Sequence, residues 1–212
     1  MLQKNLNAMI PRLALLSAFC FFIEIFRMLL TRNILFIFLP WNLILAWVPL
    51  WLAMQLKEDT KQPQLILYLA FWLLFFPNAP YIITDFVHLR PRPDFPFWFD
   101  AMLLFSFAFT GLLLGFISAL IVFKKMKVLF AAWKAGGFMI LAMILSGYGM
   151  YIGRFLRYNS WDLLTDPMQI LSETASRLVH PATYPRTYGV TIMAGVLLSL
   201  VLFIFEPFLQ AE

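Results

Sequence analysis

Residues 64–89 read QLILYLAFWLLFFPNAPYIITDFVHL. From Gln64 to Phe76 the chain is apolar for 13 residues, about 20 Å of helix, which falls short of a ~30 Å hydrocarbon core. Pro77-Asn78-Ala79-Pro80 then interrupts it, and a second apolar piece runs to Leu89 carrying Asp85 and His88. Taken as one crossing, 64–89 is a membrane helix broken at 77–80. Each proline removes a backbone donor, so the carbonyls of Leu73 and Phe76 are expected to lose their helical partners. Non-helical backbone at membrane depth survives only when packed by protein or lining a polar cavity, and discontinuous spans mark binding sites in transporters. Residues 77–80 are therefore expected to be non-helical and to touch another span, at Asn42 or Arg154. A plain proline kink satisfied by its neighbours would account for the same letters without a site.

The rest of the chain sets the class. Of 212 residues, 62% are hydrophobic and 13% charged, about half the charge of a soluble domain. That excludes a soluble globular domain, a disordered chain and a nucleic-acid binder. Apolar runs at about 10–30, 34–56, 64–89, 98–123, 128–153 and 187–205 predict an all-α polytopic membrane helix bundle, one transmembrane domain of about six spans over 1–212. The lone Cys20 forms no internal disulfide and reads as packing. Between the last two spans, Asp166-Pro167 with Gln169 three residues after the cap starts a short helix over 167–179. Met168, Leu171, Ala175 and Leu178 fall on one face, and Glu173 and Arg177 form an i,i+4 pair on the other. This is an interfacial amphipathic helix.

Charge separates by residue type. With six spans both termini share a side, and all seven Lys fall on it with Arg12, against four acids. The other eight Arg fall opposite, with seven acids. Short Lys-rich loops, above all Lys124-Lys125-Met126-Lys127, carry a positive-inside signal and place the termini in the cytoplasm. The arginines then gather on the outer face. There Arg154 and Arg157 are three apart at the end of the fifth span, followed by Asn159, Ser160, Trp161 and Asp162. Asp85 and His88 are likewise three apart, on one helix face. Gly111-x3-Gly115 and Gly149-x3-Gly153 permit close helix approach. Because ionisable groups at membrane depth seek partners, Asp85, His88, Arg154, Arg157 and Asp162 are expected to form one pocket.

Two stretches, Pro77-Asn78-Ala79-Pro80-Tyr81-x3-Asp85-x2-His88 and Gly153-Arg154-x2-Arg157-x-Asn159-Ser160-Trp161-Asp162, resemble the bacterial membrane family catalogued as domain of unknown function 1361. Trp41-Asn42-Leu43-x2-Ala46-Trp47 and Trp98-Phe99-Asp100 fit the same pattern. The resemblance implies a multi-pass protein of the bacterial inner membrane and carries no activity, cofactor or partner beyond the lipid bilayer.

Three functions suit the residues. In the first, Arg154 and Arg157, with Arg90 or Arg92, clamp an anion such as a phospholipid or prenyl-phosphate headgroup, which Asn78, Asp85, His88, Asn159 and Asp162 orient. In the second, an intramembrane enzyme uses His88 as acid/base with Asp85 or Asp162, or Asp85 and His88 hold a metal with Asp162 or His180 as a third ligand. In the third, the charges pair with one another in a structural subunit or assembly factor. The orientation is checked by cysteine labelling from outside. Ser172→Cys should be modified and Lys125→Cys should not; the reverse pattern inverts the topology.

Overall fold

The computed structural model describes residues 2–57, 59–93 and 95–206. Glu58, Asp94 and Glu212, counted in the charge separation above, lie outside the described residues, as does the side chain of Lys4. The elements are α1 (Leu2–Thr31), α2 (Phe38–Met54), α3 (Gln62–Phe75), a single α-turn α4 (Asn78–Tyr81), a 3-10 segment (Ile82–His88), α5 (Phe97–Leu129) and α6 (Ala132–Tyr151). They continue with a π-helical turn (Ile152–Leu156), α7 (Asp162–Thr165), α8 (Pro167–Val179) and α9 (Pro185–Phe205). No strand is present among the described residues. The protein is an all-α polytopic bundle.

Five stretches are long and apolar enough to cross a membrane: Ala8–Thr31, Gln62–His88, Phe97–Leu129, Ala132–Leu156 and Pro185–Phe205. The sixth expected span, α2, is shorter, at 17 residues or about 25 Å. It nonetheless runs the length of the bundle beside α5. Leu39 and Leu43 share a core with Leu103, Leu104 and Phe107, whereas Leu52 and Ala53 share another with Phe123 and Met126. One end of the bundle carries Arg27, Arg92 and Arg154; the other carries Lys57, Lys125 and Lys127. The separation of arginines from lysines along the sequence is thus a separation in space.

The Lys124–Lys127 stretch corrects one expectation. It forms the last turns of α5, not a loop, and the connection to α6 is only Phe130-Ala131. Lysine and methionine are good helix formers, and their long stems let the ammonium groups leave the apolar face while the backbone stays helical. Lys125 is buried and donates to the Lys57 carbonyl, and Lys127 pairs with Glu206 and lies over the Phe123 ring. The exposed Lys134 at this end is therefore the better labelling position.

The break is also different from the expectation. Residues 77–80 are not unwound: the chain makes a turn at Phe76-Pro77, resumes as α4 and tightens into the 3-10 segment. Phe76 keeps a partner, because the Ala79 amide donates to its carbonyl at 3.1 Å. That i+3 bond takes Ala79 away from Phe75. The carbonyls met by side chains are those of Phe75, from Asn78 Nδ2 at 2.9 Å, and Leu74, from Ser160 Oγ at 3.2 Å.

Both glycine pairs face this segment. A β-carbon at Gly111 would stand 2.7 Å from the Ala79 carbonyl oxygen, and one at Gly149 would stand 2.6 Å from Pro77 Cγ. Gly115 packs on Ala79 and Gly153 on the Tyr81 ring. The broken segment is thus held between α5 and α6 at distances only glycine allows. Gly147 and Gly195 do the same where α6 meets α9, a contact that the glycine spacing in sequence did not suggest. Gly111→Ala should cost about 1–3 kcal/mol by overpacking. Gly137→Ala, with nothing within 4 Å, should be neutral or stabilising. Unfolding in mixed detergent micelles reads both.

Candidate functional site

The 3-10 segment has three residues per turn, so side chains three apart eclipse one another. This stacks Tyr81 under Thr84 and Asp85 under His88 along one short rod. Arg154, in the π turn at the end of α6, lies across that rod. Its Nε donates to Thr84 Oγ1 at 2.8 Å, its Nη1 to His88 Nε2 at 3.1 Å, and its Nη2 pairs with Asp85 Oδ1. The guanidinium carbon is 4.7 Å from the centroid of the Tyr81 ring. All three guanidinium nitrogens are engaged by residues of 81–88, and the aromatic face supports the cation. A guanidinium only donates, so His88 Nε2 accepts and the ring proton sits on Nδ1.

Asp85 is 1% exposed and needs its second oxygen satisfied. Asn42 Nδ2 of α2 donates to it at 3.0 Å, and Phe38 of the same helix packs its ring 5.1 Å from His88. Thr84, absent from the candidates read in sequence, completes the grip on Arg154. Its neighbour Asp85 was the visible signal; only the 3-10 twist shows that Thr84 shares the Arg154 side.

Arg157 and Asp162 do not join this cluster. The π turn admits an extra residue, and Arg157 closes it in the left-handed region at φ 62°, breaking the i,i+3 register with Arg154. Arg154 points into the bundle and Arg157 is exposed. Asp162 instead accepts from the Asn159 amide at 2.6 Å, three residues back, in the manner of a capping box. The expected five-residue pocket is therefore a three-residue cluster of Asp85, His88 and Arg154, with Asn42 and Thr84 added. His180 bonds the Ser176 carbonyl, and among the described residues no three His, Cys, Asp or Glu are grouped to hold a metal.

Beside the cluster lies a cavity of about 140 Å³. Its polar lining comes from Asn42, Asn78, Asn159 and Ser160, with Asn78 Nδ2 donating to Ser160 Oγ at 2.8 Å. Tyr81 and Gly153 separate it from Arg154, and Ile170 of α8 forms part of its wall. Helix α8 begins as expected, with Asp166 accepting from the Gln169 amide at 3.3 Å. Its Glu173–Arg177 pair turns inward, where Arg177 is 7% exposed and stacks on Tyr184, while Met168, Leu171 and Leu178 face outward. The Asp85–Arg154 pair should behave as a coupled unit. Asp85→Ala and Arg154→Ala should each cost about 3–5 kcal/mol by stranding the partner. The double variant should fall short of their sum by about 1–3 kcal/mol in a double-mutant unfolding cycle.

No curated protein and no solved structure matches this sequence. Residues 41–201 match a family described as a protein of unknown function, DUF1361. That stretch includes Asn42, Asn78, Thr84, Asp85, His88, Arg154, Asn159 and Ser160, every residue of the cluster and of the polar cavity wall just described. The chain is an integral membrane protein that belongs to the DUF1361 family.

Proposed function

We propose that the arginine-rich end of the bundle binds an anionic headgroup or small anion, as a binding or transport site in the outer half of the bilayer. The observation that carries this reading is the cavity lined by Asn42, Asn78, Asn159 and Ser160 next to a guanidinium fixed in place. Its volume is well below the roughly 300–1,000 Å³ of a drug-sized pocket, which suits a phosphate-sized headgroup with its apolar chains outside. Asp85 neutralises Arg154, but the exposed Arg157, with no ion pair among the described residues, leaves positive charge beside the Asn159 wall. Amides and hydroxyls supply directional contacts there without the desolvation cost of a second buried charge.

The lysine-rich end is read as cytoplasmic, with both termini there and the protein in a bacterial inner membrane. The enzyme reading has less support. His88 Nε2, the lone pair a general base would use, is already occupied by Arg154. The structural reading draws on that same full engagement of Arg154, and one experiment separates it from the first.

Purified protein in detergent should gain thermal stability on addition of a short-chain phosphatidic acid and less with a zwitterionic lipid. Arg157→Ala should weaken that response roughly ten- to a hundredfold, the loss of one charge-assisted hydrogen bond of about 1.5–3 kcal/mol, while leaving ligand-free stability unchanged. Arg154→Lys should also weaken it, because the fork that spans Thr84, Asp85 and His88 is lost. A melting temperature that falls in Arg154→Lys while no lipid shifts the parent protein would return the cluster to a purely structural role.

A further inference from the structure

A second set of buried charges lies on α1, outside the residues matched to the family and independent of the cavity reading. The buried face of α1 passes through Leu13, Ser17, Cys20, Glu24 and Arg27, a 4-3-4-3 spacing directed at α2 and α5. Its polar members reach across to neighbouring helices. Ser17 accepts from Trp47 Nε1 at 3.1 Å, Cys20 meets Thr110 Oγ1 at 3.3 Å, and Arg27 Nε donates to Asp100 Oδ1 at 2.7 Å. Glu24 is the exception. It is 1% exposed, and neither carboxyl oxygen has a hydrogen-bond partner.

An ionised carboxylate in that position would carry a desolvation cost of several kcal/mol with no donor to offset it. The neighbouring charges are already arranged without it. Asp100 of α5 receives Arg27 through Nε and Nη2 and also receives Arg92 Nη1 at 2.8 Å from the connection before α5. One donor is left over: Arg27 Nη1, itself buried and without a partner, one turn along α1 from Glu24. Arg27 and Arg92 thus share one acid, and a second carboxyl lies three residues before Arg27 on the same buried face of α1.

We propose that Glu24 is a proton-binding site, a neutral carboxylic acid in this arrangement, and that its ionisation draws Arg27 away from Asp100, which Arg92 then holds alone. The proton leaves the carboxyl for bulk water, and the net charge of the Glu24, Arg27, Arg92 and Asp100 group falls from +1 to zero. The event changes the α1–α5 link at the arginine-rich end, because Arg27–Asp100 is a buried ion pair joining those two helices there.

Infrared spectroscopy of the purified full chain tests this, with Glu24→Gln as a copy of the protonated acid. Expected are a protonated-carboxyl C=O band in the parent protein at neutral pH that is missing in Glu24→Gln, and its loss on alkaline titration together with a change in the guanidinium bands. Glu24→Gln should fold and show no such alkaline change. Identical carboxyl regions in the two proteins would overturn the proposal. Failure of Glu24→Gln to fold would do so equally, since a site that is neutral in the native state tolerates the amide.

Discussion

Two carbonyl groups, those of Leu74 and Phe75, are met by side chains where Pro77 interrupts the third span, and in a membrane such groups must be paired by protein. Asn78 and Ser160 supply the hydrogen bonds, which ties the break to the loop after α6 across more than 80 residues of sequence. The position of that loop in turn depends on the π turn at Ile152–Leu156, which also sends Arg154 into the bundle. Proline chemistry, loop placement and the buried charge pair are one arrangement. Loss of any part exposes backbone or charge to a low-dielectric surrounding.

Packing and electrostatics divide the work. Lipid is as apolar as leucine, so helices in a bilayer associate through close fit and polar contacts. Gly111, Gly115, Gly149 and Gly153 supply the fit around Pro77–Ile82, and the Arg154 fork supplies the polar contact on the next turn. At the same end, Arg27, Arg92 and Asp100 join α1 to α5. The lysine end has polar contacts of its own, Lys125 to a carbonyl and Lys127 to Glu206, over a core of Trp72, Phe76, Phe123 and Met139.

Composition and run length made the bundle legible, because hydrophobic stretches of spanning length have few other uses. The Asp85, His88 and Arg154 association was legible too, from the cost of unpaired charge at one depth. Arg157 was misplaced because i,i+3 reasoning assumes an α-helix, and nothing in Gly153-Arg154-Phe155-Leu156-Arg157 announces a π turn closed by a left-handed arginine. The Phe76 carbonyl was misjudged for a similar reason. Counting four residues back from Pro80 ignores the i+3 bond from Ala79 that gives this carbonyl a partner. Arg27, Arg92 and Asp100 were each noted as charges, but their sharing of one acid depends on how α1 and the connection before α5 lie against each other.

Helix α8 has one consequence of a different kind. Ile170 closes part of the cavity while Met168, Leu171 and Leu178 are exposed on the outer face. The helix is tied inward at several points: Tyr148 of α6 meets Thr174 at 2.8 Å, Tyr188 of α9 donates to the Arg177 carbonyl at 2.9 Å, and Arg177 stacks on Tyr184. Its inner side is thus fixed by α6 and α9 while its outer side is left to the surrounding solvent. One short amphipathic helix therefore stands between two surroundings, with the polar cavity behind it and an apolar face suited to the bilayer interface in front.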